Sequence, residues 1–316
     1  MKIAIIGSTI YDCFEYDLNE AFNFNGYECK IFDVMAIKMP VRRSDRGGYV
    51  DLAKKVEDYN PDLVIGVYRN IHPYFVSRMR KNKYKIIHIN PDPVAYFGMQ
   101  QIFVSEYDVY FTKDPFIQRF MQLNMGLNTK LYNEAFNQRI HIKPDVDKLE
   151  YEKLLDIDVV NIGISYPYRS RMLRKLADSG INLVLFGGYR YFRDKSLDKY
   201  HTHTFITGES KARIMYGSKI VFNNLCFSEV ESVNDRFFEI NGSGGFQLSD
   251  YRPTMKDLLP IDPELVSFTS IDEAIEKIKY YLQHPEKRLE ISEILYKHFM
   301  DHYTYDHLIK HILNSI

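Results

Sequence analysis

Short apolar runs alternate along the chain with segments in which apolar residues recur every three or four positions. The runs are rich in Val, Ile and Phe and are bounded by Gly, Pro, Asn or Asp, which is typical of strands in βα units. Because the runs are apolar almost throughout, we expect them to be buried on both faces of parallel sheets. Two series of strands are predicted, at 2–8, 27–33, 61–68, 84–90 and 108–113, and at 158–165, 181–188, 203–208, 219–225 and 244–250.

The two series predict an α/β protein with two Rossmann-like parallel-sheet domains and C-terminal helices. We place the N-terminal domain at 1–140 and the C-terminal domain at 158–300. Between them, 141–157 is charged, contains Pro144 and lacks a strand pattern, so it is the predicted linker. The last residues, 301–316, form a predicted helix that packs back on the N-terminal domain.

Composition and charge exclude several kinds of protein. The 316 residues include 41 basic and 42 acidic side chains, so no overall field favours a nucleic-acid partner. Cys13, Cys29 and Cys226 contain no C-x-x-C pair, which argues against a disulfide framework and a zinc site. No apolar run approaches the length of a membrane span, and the N-terminus has the pattern of a first strand instead of a signal peptide. We therefore expect a cytoplasmic protein without an integral membrane segment.

The densest pattern of polar residues that could carry chemistry lies at 228–251. Glu231 and Glu239 have seven residues between them, and if a helix covers 233–241, Arg236 and Glu239 share a face. A carboxylate there could accept hydrogen bonds from ribose hydroxyls, and a guanidinium could bind a phosphate through two parallel bonds. A surface ion pair between the two side chains explains the same spacing.

Two glycine-containing turns are candidates for contact with a ligand. Gly244 and Gly245 precede Phe246 and the last predicted strand, and their backbone N–H groups could approach a diphosphate closely. An ordinary turn between a helix and a strand uses the same residues. Gly7 follows the first strand but is not part of a G-x-G-x-x-G pattern, so it either makes a tight βα turn or lines a ligand cleft.

At these residues the sequence resembles the spore-maturation CgeB-like family of glycosyltransferases, which has the GT-B fold of two Rossmann-like domains facing across a cleft. The resemblance implies that Glu239 binds the ribose of a nucleotide sugar. It also implies that Glu231 and Glu239 correspond to the E-x7-E pattern of related retaining group 1 glycosyltransferases, with Glu231 as a catalytic candidate. The matching stretches are 219–225, 234–250, 265–292 and 302–313.

The stretch 163–188 resembles the same family's strand, Pro-containing loop and Arg-bearing helix start. This resemblance places Arg169 or Arg171 at a helix N-terminus, where the helix dipole and the side chain both favour a diphosphate. The alternative is a solvated basic turn. Gly187 and Tyr189 would then border the nucleobase of the donor.

In the first domain, 88–97 resembles the family's D-x-P-type loop, which would turn Asp92 towards the cleft as a catalytic residue. An Asx turn before Pro93 explains the same residues. Two D-x-D triplets, 145–147 and 156–158, lie in or beside the linker, and we assign them to solvated charge instead of metal binding.

The sequence therefore predicts a hexosyltransferase-like glycosyltransferase (EC 2.4) that moves a sugar from a nucleoside-diphosphate sugar to an acceptor hydroxyl. The resemblance implies retention at the anomeric carbon. Arginines and a helix dipole would balance the charge of the diphosphate, so no metal cofactor is expected. The acceptor can be a glycan, a protein or a small molecule. The alternatives are a nucleotide-sugar epimerase or a phosphorylase on the same fold, and a catalytically silent GT-B binding protein.

Overall fold

The structure, a computed structural model, describes residues 1–34, 37, 46–68, 71–93, 102–190 and 192–316. Its strands are β1 (Lys2–Gly7), β2 (Glu28–Asp33), β3 (Leu63–Val67), β4 (Lys85–Asn90), β5 (Val109–Thr112), β6 (Thr129–Leu131), β7 (Ile157–Ile162), β8 (Leu183–Phe186), β9 (Ser218–Asn223), β10 (Gln247–Asp250) and β11 (Ser267–Phe268). Its α-helices are α1 (Phe14–Phe24), α2 (Tyr49–Tyr59), α3 (Pro73–Lys81), α4 (Pro115–Leu123), α5 (Lys148–Leu155), α6 (Pro167–Asp178), α7 (Gly208–Gly217), α8 (Asp235–Gly242), α9 (Met255–Leu258), α10 (Ile271–Gln283), α11 (Pro285–His302) and α12 (Tyr305–Asn314).

The chain forms two compact units, each assembled from more than one stretch. The first unit comprises Met1–Glu134, Phe227–Ser232 and Tyr305–Ile316. The second comprises Ala135–Cys226 and Val233–Thr304. The α/β fold with two parallel sheets, which the alternation of apolar runs predicts, is confirmed.

The first unit is built on a six-stranded sheet in the order β2-β1-β3-β4-β5-β6. All of its strands pair in parallel, and Ile3 of β1 pairs with Cys29 on one side and with Leu63 on the other. All five strands predicted in this part of the chain are present. The sixth, β6, is only three residues long and lies at the sheet edge, so it lacks the apolar run by which strands are predicted.

The C-terminal helix α12 belongs to the first unit and packs on α1. The rings of Tyr305 and Phe14 lie 5.9 Å apart between centroids, and Asn25 Nδ2 donates a hydrogen bond of 2.8 Å to Asp306 Oδ1. Tyr305 is buried, so this contact is apolar at its centre and polar at its rim.

The second unit is built on a five-stranded parallel sheet in the order β11-β10-β9-β7-β8. Four of the five predicted strands are present, but the prediction for 203–208 is wrong. That stretch runs beside β8 and makes only isolated hydrogen bonds with it, including Gly187 N to the Thr204 carbonyl oxygen at 2.8 Å. His203 has a φ of 56°, in the left-handed region, so the backbone cannot continue an extended ladder there.

The stretch 141–157, which its charge and Pro144 predict to be a linker, contains α5 and lies in the second unit. Its D-x-D aspartates have ordinary structural contacts. Asp147 caps α5 by accepting a hydrogen bond from Glu150 N at 2.9 Å, and Asp158 forms an ion pair of 2.5 Å with Lys219. These contacts give Asp147 and Asp158 structural roles, where the sequence predicted solvated charge.

Each sheet is covered by helices on both faces, which explains why the central strands are apolar along their whole length. β3 is fully buried, and β1 and β9 are buried at five of their six residues. Within the described ranges, no helix is long and apolar enough to cross a membrane.

Candidate functional site

Arg169 is held at the carboxyl ends of two adjacent strands of the second sheet. It lies in the first turn of α6, which Pro167 opens and which has no side-chain cap at Tyr166. Arg169 Nη1 donates to the Ile164 carbonyl oxygen at 2.7 Å, and Nη2 donates to the Asn224 carbonyl oxygen at 3.2 Å. These bonds fix the guanidinium, which is 5% exposed, beside the uncapped N–H groups of α6.

Arg236 brings a second guanidinium to the same place from the start of α8. A Cβ atom added to Gly163 would lie 2.8 Å from Arg236 Nη2 and 3.4 Å from Arg169 Nη1, so both side chains border this glycine. Burial, and next the charge of Arg236, lower the pKa of Arg169. In the part of the chain that the structure describes, the Arg236 side chain has no hydrogen-bond or ion-pair partner. Two like charges so placed form a site that an anion would stabilise.

One carboxylate acts on Arg169 from the neighbouring strand end. Asp250 closes β10, and its Oδ2 accepts a hydrogen bond from Leu225 N. Burial raises the pKa of Asp250, whereas Arg252 and Arg169 act in the opposite direction. Asp250 therefore orders the loop after β9 and only partly offsets the positive charge at Gly163.

Gly163 and Gly187 allow the loops after β7 and β8 to touch. They have φ values of 125° and 115°, which side chains rarely adopt, and a Cβ on Gly187 would lie 2.3 Å from the Gly163 carbonyl oxygen. Gly163 N donates to the Phe186 carbonyl oxygen at 2.9 Å. Gly187 thus shapes the backbone next to the two arginines.

Tyr189 follows Gly187 and packs in a small group of rings. Its ring centroid lies 4.7 Å from that of His201, and its hydroxyl lies 3.4 Å from Asp198 Oδ1. Burial and the charge of Asp198 raise the pKa of Tyr189 to about 12. The neutral phenol therefore ties the loop after β8 to the 3₁₀ helix Lys195–Tyr200.

Glu239 lies one turn beyond Arg236 in α8 but points to different partners. Its Oε1 accepts a hydrogen bond of 2.8 Å from Lys211 Nζ on α7 and lies 3.6 Å from His141 Nε2. Arg236 and Glu239 form no ion pair in the structure that is described, so the surface-pair explanation of their spacing is wrong. Glu239 is buried, and its carboxylate is paired with the buried lysine.

Gly244 and Gly245 end α8 and do not offer their N–H groups to a ligand. Gly244 N donates to the Asn241 carbonyl oxygen at 3.0 Å, and Gly245 N donates to the Ile240 carbonyl oxygen at 2.9 Å. These are the bonds of a helix C-terminus. Phe246 is fully buried in the core of the second unit. The expectation that this turn binds the diphosphate is therefore corrected, because its donors are used within the chain.

Glu231 belongs to the first unit, whereas Glu239 belongs to the second. The Glu231 carboxylate makes a two-bond contact with Arg119, at 2.7 and 3.1 Å, and its backbone N–H donates to Asp114 Oδ2 at 2.9 Å. Glu231 thus has its contacts within the first unit. Glu231 anchors the stretch Phe227–Ser232 to the start of α4.

Three further residues were predicted to belong to the site, Arg171, Asp92 and Gly7. Arg171 is exposed on α6, two residues beyond the buried Arg169. Asp92 is exposed after β4, and its carbonyl oxygen accepts a hydrogen bond from Asn90 Nδ2. Residues 94–97 of the predicted D-x-P loop lie outside the described residues. Gly7 ends β1, where a Cβ would lie 2.4 Å from Glu15 Cγ, so its lack of a side chain makes room for Glu15.

Sequence reasoning missed two residues of this site. Gly163 follows β7 directly, and a glycine at the carboxyl end of a strand is the signal that could have identified it. Lys211 lies in the sequence GESK at the start of α7, which is also the pattern of a solvated helix start. Only the packing of α7 against α8 shows that this lysine is buried against Glu239.

Comparison with known proteins matches residues 169–314 to the family described as glycosyl transferase-like. The spore protein CgeB of Bacillus subtilis (strain 168) is 24% identical over 177 residues, which are 51% of this chain and 54% of that protein. The chain therefore spans about half the length of the curated relative it matches.

Solved structures resemble the whole chain. Sucrose-phosphate synthase from Thermosynechococcus elongatus has a TM-score of 0.70 at 11% identity, with 99% of this chain and 98% of that chain covered. Anabaena HepE in complex with UDP-glucose has a TM-score of 0.68 at 11% identity, with 100% of both chains covered. A glycosyltransferase from Rickettsia africae has a TM-score of 0.68 at 11% identity, with coverages of 99% and 97%. These structures show that the chain has the GT-B fold, and residues 169–314 are similar to the glycosyl transferase-like family.

Proposed function

We propose that the protein transfers a sugar from a nucleoside-diphosphate sugar to an acceptor hydroxyl. In this proposal the second unit binds the donor and the first unit binds the acceptor. The observation that carries it is the convergence of Arg169 and Arg236 on Gly163, beside the N-terminus of α6. HepE, which shares the fold, binds UDP-glucose, and this supports a nucleotide sugar as the donor.

The diphosphate is proposed to bind at Arg169 and Arg236. A guanidinium can donate two parallel hydrogen bonds to phosphate oxygens, and an uncapped helix N-terminus adds further N–H donors. Arg169 Nη1 and Nη2 already donate to carbonyl oxygens, so this residue contributes mainly its charge. Arg236 can donate to the ligand from all of its guanidinium N–H groups. Bringing the anion in would relieve the repulsion between the two cations.

Glu239 is proposed to accept hydrogen bonds from the ribose hydroxyls. Lys211 holds the carboxylate in a buried position through Oε1, and carboxylate oxygens are acceptors for the hydroxyl groups of a ribose. Gly187 and Tyr189, beyond β8, are proposed to border the nucleobase. This arrangement assigns the donor's three parts to the carboxyl ends of β7 and β8 and to α8.

In the transfer step, the bond between the anomeric carbon and the diphosphate oxygen breaks, and its electron pair leaves with the nucleoside diphosphate. The acceptor oxygen forms the new bond, and its proton passes to the departing diphosphate when the configuration is retained. Asp92, exposed in the first unit, is proposed to orient the acceptor hydroxyl. Arg169, Arg236 and the α6 dipole stabilise the growing negative charge, which is commonly the largest contribution to catalysis.

We propose that this step needs no divalent metal, because two guanidinium groups and a helix N-terminus already supply positive charge. Nucleoside-diphosphate release should therefore persist after complete chelation. Loss of release that added Mn²⁺ restores would refute metal independence.

Donor binding is tested first and turnover second. Melting temperatures are measured with UDP-, GDP-, ADP- and dTDP-sugars, and nucleoside-diphosphate release is then measured with and without acceptors. The proposal expects a raised melting temperature with one nucleotide class and release that acceptors accelerate. Binding without release would support a catalytically silent protein. Conversion of the donor sugar without an acceptor would support an epimerase. A structure titled as a UDP-N-acetylglucosamine 2-epimerase from Listeria monocytogenes resembles this chain with a TM-score of 0.56.

A further inference from the structure

Three amide side chains of the second unit join its sheet to the start of α8. Asn223 is the last residue of β9, Gln247 is the first residue of β10, and Asn234 is the N-cap of α8. Asn223 and Gln247 are fully buried. A buried amide lowers stability unless its donors and acceptor are paired, so the partners of these side chains show what they hold in place.

Asn223 and Asn234 are joined by two hydrogen bonds that run in opposite directions. Asn223 Nδ2 donates to Asn234 Oδ1 at 3.1 Å, and Asn234 Nδ2 donates to Asn223 Oδ1 at 3.2 Å. Asn234 Oδ1 also accepts a hydrogen bond of 3.0 Å from Phe237 N, which is the capping bond of α8. The first turn of α8 is therefore tied to the last residue of β9.

Gln247 makes a second link between the same two places. Its Nε2 donates to the Phe237 carbonyl oxygen at 3.1 Å, and its Oε1 accepts a hydrogen bond of 3.2 Å from Asn223 Nδ2. Because the backbone N–H of Phe237 can only donate and its carbonyl oxygen can only accept, these two groups fix the orientation of all three amides. Asn223 thus holds the first turn of α8 through two side chains in one defined arrangement.

The residue that follows Asn223 holds Arg169. The carbonyl oxygen of Asn224 accepts the hydrogen bond of 3.2 Å from Arg169 Nη2, and its side-chain oxygen accepts one of 3.2 Å from Asn161 Nδ2 in β7. Asn161 and Asn224 are buried. The end of β9 is therefore connected on one side to Arg169 and on the other side to α8, whose second residue is Arg236.

The Arg236 side chain has no hydrogen bond or ion pair within the described ranges, so the position of its guanidinium depends on where the backbone of α8 begins. We propose that Asn223 is a positioning residue for the diphosphate of the donor. Through Asn234 and Gln247 it holds the start of α8, and this brings the Arg236 guanidinium to Arg169. The proposal rests on the transfer function proposed above and adds how its diphosphate site is kept in shape before the ligand binds.

Asn234→Ser tests this role, because serine keeps the capping oxygen of α8 but lacks the amide group that pairs with Asn223. Titration calorimetry measures the affinity for whichever of UDP, GDP, ADP and dTDP raises the melting temperature most. Asn234→Ser should weaken this binding about tenfold, because a charge-assisted hydrogen bond depends on its geometry. In the Arg236→Ala background the same substitution should change the affinity less than about twofold, since no guanidinium is left to position.

Gln247→Met is a second variant, with a side chain of similar length and an intact cap on α8. It removes the link between Phe237 and Asn223, so it should weaken the binding in the same direction, and again only while Arg236 is present. A purely structural role would lower the melting temperature without changing the affinity. Parent-like affinity in the folded variants, or an equal loss with and without Arg236, would overturn the proposal.

Asp147→Ser is the matched control, because Asp147 is the N-cap of α5 in the same unit and accepts from Glu150 N. α5 carries none of the residues proposed to bind the donor, so the affinity should equal that of the parent. If the parent binds none of the four diphosphates, the transfer function itself fails. If it binds one and Arg236→Ala weakens that binding, but Asn234→Ser does not, the diphosphate site stands and only the role of Asn223 fails.

Discussion

Lys211 Nζ lies 2.8 Å from Glu239 Oε1, and each side chain is only 10% exposed. The pair joins α7 to α8 inside the second unit. A buried ion pair is stable only while both partners are present, because either charge alone would have lost its hydration without compensation. Substitutions of Glu239 therefore act on stability as well as on donor binding.

Glu239→Ala should lower the free energy of unfolding by about 3–5 kcal/mol, since it leaves the Lys211 charge buried. Glu239→Gln keeps the shape and an acceptor oxygen, so its loss should be smaller. Urea denaturation of both variants at pH 7 measures the difference. A midpoint for Glu239→Ala equal to that of the parent would show that Lys211 does not depend on this carboxylate.

Arg236→Ala should weaken binding of the selected nucleoside diphosphate roughly 10- to 100-fold, because each charge-assisted hydrogen bond contributes about 1.5–3 kcal/mol. Stability should hardly change, since the side chain has no hydrogen bond to lose in the described chain. Titration calorimetry measures the affinity. Lys175→Ala, an exposed position on α6, serves as control and should bind like the parent. Parent-like affinity in Arg236→Ala would remove the diphosphate from this site.

Gly163→Ala should impair both folding and donor binding. The added Cβ would lie 2.8 Å from Arg236 Nη2, and the φ of 125° is unfavourable for alanine, at a cost of about 1–3 kcal/mol. Gly180→Ala provides the comparison, because Gly180 has a φ of 79° and no atom within 4 Å of the added Cβ. It should lose stability but keep donor affinity. Equal affinities in the two variants would contradict the role of Gly163 beside the arginines.

His88 should make the protein less stable in mild acid. It is buried, its Nε2 lies 2.6 Å from the Tyr68 carbonyl oxygen, and burial lowers its pKa to about 4. Because the unfolded chain binds a proton near pH 6.5 and the folded chain does not, stability is full above pH 6.5 and falls as the pH drops towards 4. The loss should approach about 3 kcal/mol.

Denaturation of the parent and of His88→Gln at pH 7, 5.5 and 4.5 measures this effect. The glutamine amide can still donate to Tyr68 but does not titrate, so the variant should lose less stability with falling pH. Parallel losses in the two proteins would assign the acid sensitivity to other groups.

Of the ten strands predicted from apolar runs, nine are present in the structure. The pattern works because a strand that is buried on both faces must be apolar along its length. The exception, 203–208, has only two apolar residues, Phe205 and Ile206, and it contains His203, whose backbone is left-handed. β6 and β11 were not predicted, since strands of three and two residues are held by neighbours and not by their own pattern.

Parts of the candidate site could likewise be predicted from the sequence, whereas other parts could not. The sequence by itself determined the alternation of strands and helices, the helix start at Arg169 and the short helix that carries Arg236 and Glu239, because each follows from residues that are close together in the chain. Only the tertiary structure decided that Arg236 joins Arg169 at Gly163, that Lys211 neutralises Glu239 and that Glu231 belongs with Arg119. The two ion pairs join residues that are 28 positions apart, for Lys211 and Glu239, and 112 positions apart, for Arg119 and Glu231. Partners so distant in the chain meet only after the strands have been brought side by side.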